Sequence, residues 1–141
     1  MNNQVAIKIE GLENPPWLGK TEPYILSVLD KLGKNNWDLS IFFCTNEIIR
    51  KLNNQYRNLD ESTDVLSFVM GETVREQFLP GDIVISLEKT EENARIFGVS
   101  PLEELHRLLI HGILHLGGMD HASSDKNEAM LVLQEKLLKE I

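Results

Sequence analysis

A single cysteine, Cys44, leaves the 141-residue chain without an internal disulfide and without a cysteine-based metal framework. It follows the apolar run Ile41-Phe42-Phe43, which points to a buried structural thiol. Long apolar runs are missing too: no stretch approaches the ~18 residues that span a bilayer. The amino terminus, Met1-Asn2-Asn3-Gln4, has no basic segment leading into an apolar one. A secretory leader is therefore not expected, and a cytoplasmic location away from membranes is. Positive charge is scarce as well: 14 Lys and Arg against 22 Asp and Glu leave a net charge of −8. Phosphate neutralisation supplies much of the affinity of proteins for nucleic acid, so composition alone argues against such a partner.

What is present suffices for one domain. A chain of this length hides roughly 68–70% of its unfolded surface, and 42% hydrophobic with 26% charged residues is ordinary for a globular protein. No repeat, low-complexity tract or linker divides it. Val5-Ala6-Ile7-Lys8-Ile9 alternates as a strand. Helical spacing follows over 17–32, with Gly33 as its stop. A second strand is expected over 37–43. A helix then runs from the N-cap Thr45 to about residue 54, with Ile48, Ile49 and Leu52 facing inward.

The polar stretch 53–62 reads as a loop. Strands are expected over 63–69 and 83–85, separated by a Pro80-Gly81 turn. Ser86 caps a helix that Gly98 ends. Ser100-Pro101 opens another, with Glu103 and Glu104 in its acid-favouring first turn, and it stops at Gly117-Gly118. A last amphipathic helix is expected over 124–139. The order β-α-β-α-β-β-α-α-α implies a single α+β domain, one sheet covered by helices. Its expected core is Phe42, Phe43, Val65, Leu66, Ile83, Ile85, Leu105, Leu109 and Ile113.

Three of the four histidines lie in His111-Gly-Ile-Leu-His115-Leu-Gly-Gly-Met-Asp-His121. Residues four apart on a helix share a face, about 5–6 Å apart at Cβ, so the rings of His111 and His115 can reach one ion. Glycine tolerates positive φ, so Gly117 and Gly118 end the helix and let the chain reverse, returning His121 toward the same ion. Three neutral nitrogens suit one Zn²⁺ per chain, with Ni²⁺, Cu²⁺ or Fe²⁺ as competitors. An open fourth position would hold a water whose pKa falls to about 7. Asp120 is either a carboxylate that orients a ligand ring or a turn residue. His106, five residues before His111, is rotated by about 140° and off that face.

The spacing agrees with the zinc-protease pattern H-E-x-x-H-x-x-G-x-x-H except at Gly112, where a protease carries its glutamate general base. The centre is therefore open but not equipped for peptide hydrolysis. Met130, in the last amphipathic segment, reads as core rather than as part of a Met-turn.

Three blocks carry a resemblance that covers nearly the whole chain. They are Leu52-Asn-Asn-Gln-Tyr56-Arg57-Asn-Leu-Asp60-Glu-Ser-Thr63-Asp64-Val65-Leu66-Ser67-Phe68, Gly81-Asp82-Ile83-Val84-Ile85-Ser86, and residues 104–121 around the histidines. On these the sequence resembles the YbeY family of ribosomal-RNA maturation factors. The resemblance implies a metal-dependent, single-strand-specific endoribonuclease acting at the 3′ end of the small-subunit RNA and in ribosome quality control. It implies zinc on His111, His115 and His121, and a functional role for Arg57. It further implies association with the small ribosomal subunit and assembly factors, and a mixed four-stranded sheet with about five helices. Ser62 and Val69 stand where the family commonly has proline, and Met119 where tyrosine is usual, so no role is carried over for that hydroxyl.

An RNA substrate must be reconciled with the charge of −8. A metal dication contributes positive charge locally, and Arg50, Lys51 and Arg57 cluster in or after the second helix. Arg107, one turn before His111, is a second candidate for phosphate contact. The expectation is a small basic cleft in which Arg57 holds the scissile phosphate and Arg107 assists. His111 serves catalysis through the metal. No carboxylate stands out as general base; Asp64 and Asp82 are weak candidates. Two other readings compete: a zinc hydrolase acting on amides, esters or small phosphoesters, and a non-catalytic metal module that docks on the small ribosomal subunit.

Overall fold

A computed structural model describes residues 2–119 and 129–141 of the chain. Four strands, β1 (Gln4–Ile9), β2 (Asp38–Cys44), β3 (Val65–Val74) and β4 (Gln77–Ser86), form one sheet in the order β1-β2-β4-β3. The β1/β2 and β2/β4 pairs are parallel, and β3 closes the edge antiparallel to β4. Parallel neighbours need a crossover. Helix α1 (Thr21–Lys31) supplies the one from β1 to β2, and helix α2 (Asn46–Arg57) leads from β2 toward the β3–β4 hairpin.

Side chains alternate across a strand, and that alternation assigns the two faces. Leu39, Ile41, Phe43, Ile83 and Ile85 point to one face, against α1 and helix α4 (Pro101–Leu116), with helix α5 (Ala129–Glu140) packed on α4. Phe42, Leu66, Phe68 and Val84 point to the other, where Ile48, Ile49 and Leu52 of α2 cover part of the sheet. Helix α3 (Leu87–Phe97) lies beside α4. The fold is α+β, with a mixed sheet and five α-helices among the described residues. No helix of these residues is long and apolar enough to cross a membrane.

The helix starts follow local chemistry. Thr45 Oγ1 accepts from the Ile48 amide at 3.2 Å, Ser86 Oγ from Lys89 at 3.2 Å, and Ser100 Oγ from Glu103 at 3.1 Å. Three expectations are corrected. The hairpin does not turn at Pro80-Gly81, which lie inside β4; it turns at Arg75-Glu76, whose φ angles are 51° and 71°. Positive φ at both central residues is what a tight hairpin turn needs. β3 accordingly extends to Val74, and α2 continues to Arg57. Phe42 and Val65 are only partly buried, while the other seven expected core residues are at most 2% exposed.

Candidate metal centre

Helix α4 places His111 and His115 on one face, both half-buried, with ring centres 4.9 Å apart and planes inclined at 73°. The opposite side of the helix buries Leu105, Leu109, Ile110 and Ile113, each at most 2% exposed. Two imidazoles holding one ion at ~2.0–2.1 Å in a tetrahedral arrangement have centres about 5 Å apart. The pair and its neutral nitrogen donors therefore fit a zinc-type ion. After Leu116 the chain leaves the helix through Gly118, at φ +98°. Asp120 and His121 lie outside the described residues, and no group of three or more metal-ligating side chains occurs among those described.

Gly112 has a packing reason. A Cβ at that position would stand 2.9 Å from Cδ1 and Cγ2 of Ile83, because α4 rests directly on β4 there. Where the protease pattern puts its glutamate, this fold puts a helix-to-sheet contact. His106 faces α1 and not the His111/His115 side of the helix: its ring stacks on Tyr24 at 3.6 Å and 11°, and burial lowers its pKa.

A polar network adjoins His111. Its Nδ1 is 2.7 Å from Oε1 of Gln134 on α5, a residue only 7% exposed. Gln134 Nε2 donates to Glu135 Oε2 at 3.2 Å. Glu135 in turn accepts from Arg107, at 2.9 Å from Nε and 3.2 Å from Nη2. Arg107 also donates to Glu104 at 3.0 Å and Glu103 at 3.2 Å. Burial pushes the Glu104 carboxyl above its usual range, and the bond from Arg107 opposes that only in part. For Glu135 the order is reversed: the Arg107 hydrogen bonds come first and hold its carboxyl below the usual range.

The sequence expectation did not include Gln134 and Glu135. Their signal is faint: Gln134 falls between Met130 and Leu137 on the apolar face of an amphipathic helix, where a polar residue needs a buried partner. Arg107 was expected to meet phosphate. Its guanidinium is instead engaged by Glu103, Glu104 and Glu135.

The expected basic cluster is largely self-neutralised. Arg50 pairs with Asp60 at 2.8 Å and Lys51 with Glu47 at 3.3 Å. Arg57 is exposed in the last turn of α2, and among the described residues no carboxylate pairs with it. Beside it Tyr56 meets Phe68 edge to face at 5.3 Å. Both rings line a cleft of about 500 Å³ on the α2 face of the sheet, with Phe42, Lys8 and Asp82. A smaller cleft of about 400 Å³ is lined by His111, Gln134, Arg107 and Asp64.

Comparison with known proteins places the chain in a family. The family described as endoribonuclease YbeY matches residues 17–141. The chain belongs to the YbeY endoribonuclease family. It is 48% identical to the endoribonuclease YbeY of Treponema pallidum over 141 residues, which is 96% of this chain and 88% of that one. The Borrelia turicatae endoribonuclease YbeY is 46% identical, over 99% of this chain and 96% of its own. In structure the chain resembles TM1509 of Thermotoga maritima, solved in solution, with a TM-score of 0.70 and 32% identity. That likeness covers 97% of this chain and 88% of the other.

Proposed function

We propose that this protein is a zinc-dependent endoribonuclease that cleaves single-stranded ribosomal RNA in the cytoplasm. It would act in 3′-end maturation of the small-subunit RNA and in ribosome quality control, alongside the small ribosomal subunit and its assembly factors. One observation carries the reading: two imidazoles 4.9 Å apart on one helix face, in a chain of an endoribonuclease family. His111, His115 and His121 would hold one ion, His121 being the ligand that the sequence spacing supplies. When bound, that ion supplies a Lewis-acidic positive centre for a phosphate oxygen.

The remaining work falls to the chain's own residues. Arg57 would present its planar fork to the scissile phosphate and meet the charge that develops on it. Its exposure, and the absence of a carboxylate partner among the described residues, support that role. Arg107 is left out of substrate contact because carboxylates already occupy its donors. The overall charge of −8 then limits non-specific RNA binding to the outer surface.

The test compares wild type, His115→Ala and Arg57→Ala, purified identically. Bound metal is measured, then each protein is incubated with single-stranded RNA containing the small-subunit 3′ region. The expected result is about one zinc and cleavage for wild type, loss of both in His115→Ala, and metal without cleavage in Arg57→Ala. Equal cleavage by all three would mark a contaminating nuclease and overturn the proposal in favour of a docking module. Cleavage of small esters or amides that Arg57→Ala leaves intact, without RNA cleavage, would favour another hydrolase.

A further inference from the structure

The tautomer of a metal-binding imidazole is set by the partner of its second nitrogen. The chain of hydrogen bonds from Arg107 through Glu135 to Gln134 runs in one direction. Arg107 is a donor at every nitrogen and cannot accept. It reaches Glu135 through both Nε and Nη2, at 2.9 and 3.2 Å, which holds that carboxylate ionised and therefore purely an acceptor. The group of Gln134 lying 3.2 Å from Glu135 Oε2 must then be its NH₂. An amide has one oxygen and one nitrogen, so the end facing His111 Nδ1 at 2.7 Å is the carbonyl oxygen. A carbonyl only accepts, so Nδ1 carries the proton and Nε2 carries the lone pair.

We propose that Gln134, oriented by Glu135 and Arg107, is the positioning residue that fixes the tautomer and ring plane of His111 so that Nε2 is the ligating atom. This assignment deepens the metal reading above and rests on it. Gln134 sits on α5, at 7% exposure, and is carried there by the same face that buries Met130 and Leu137. The arrangement therefore couples the docking of the last helix to the readiness of the metal pair. Arg107, which looked like a substrate contact in the sequence, is the fixed end of this chain of donors.

Two measurements test it. The first uses the full chain, ¹⁵N-labelled, stripped of metal by chelation and held near pH 8, above the ordinary imidazole range of about 6.5. Long-range ¹H–¹⁵N spectra read the tautomer of each histidine; His111 is expected with its proton on Nδ1, and Gln134→Leu is expected to lose that bias. The second is zinc affinity, read by competition with a chromophoric chelator. Gln134→Leu should bind about 10–100-fold more weakly, the range typical when a ligand's hydrogen-bond partner is removed. A wild type that binds zinc but carries its His111 proton on Nε2 overturns the positioning role alone, and this readout needs no variant to fold. A folded wild type that takes no zinc overturns the metal reading and this role with it.

Discussion

Gly112 of α4 and Ile83 of β4 approach so closely that an added Cβ on the glycine would lie 2.9 Å from two carbons of a side chain with no exposed surface. Gly112→Ala should therefore destabilise the fold by roughly 1–3 kcal/mol, the usual range for overpacking a core. Gly112→Glu should be worse and should gain no peptidase activity, since the new carboxyl would be driven into the sheet. Urea midpoints measure both. Combining Gly112→Ala with Ile83→Val, which removes Cδ1, should cost less than the two separate losses added together. Strict additivity would show that the contact is looser than described.

Arg107→Ala should act mainly on stability. Glu104 is 2% exposed, and without Arg107 its charge is buried unpaired, a loss of about 3–5 kcal/mol. Adding Glu104→Gln removes that charge and should recover part of the loss. An Arg107→Ala protein as stable as wild type, but defective in RNA binding, would restore the phosphate-contact reading.

His106 gives a pH dependence whose sign follows from its surroundings. Burial against Tyr24 lowers its pKa in the folded chain. As pH falls through the ordinary imidazole value of about 6.5, the unfolded chain takes up the proton and the folded chain does not. Stability is therefore complete above that value and declines below it. His106→Phe keeps the stacking and should make the acid limb shallower by up to about 1.4 kcal/mol per pH unit. Parallel limbs for wild type and variant would contradict this.

Cys44 has no exposed surface, and its thiol is pushed up to about 12 by burial, with Glu10 and Glu88 adding to the effect. Since the thiolate is the nucleophile, a soluble disulfide reagent near pH 8 should leave the native protein unmodified for as long as it stays folded. Modification should appear with urea unfolding. Rapid modification of the native chain would mean that the α2 side of the sheet opens readily.

Much of this was legible because it is local. Thr45, Ser86 and Ser100 each cap a helix through an amide three residues on, and the i, i+4 spacing of His111 and His115 fixes their common face. The hairpin turn was missed because Arg75 and Glu76 take positive φ without glycine. Gly81, which looked like that turn, is used at φ +141° to let the Phe68 carbonyl approach, a collision for any Cβ. Gln134 was missed because its partner lies 23 residues away in sequence, on another helix. The fate of Arg107 was readable in part: Glu103 and Glu104 stand four and three residues before it, but Glu135 does not.

The strand order has a consequence for the time course of folding. Ile41 pairs with Ile83 and β1 with β2 in parallel, so the centre of the sheet closes only when distant parts of the chain meet. Such non-local pairing is slow to form. The two imidazoles of α4, by contrast, are brought together by contacts within one 16-residue helix. Local helical contacts form faster than non-local strand pairing, so in refolding the histidine pair is expected to form before the isoleucine seat beneath Gly112. On the metal reading proposed above, an ion present from the first moment of refolding would meet the histidines ahead of the sheet, and the folding rate should depend on the order of addition.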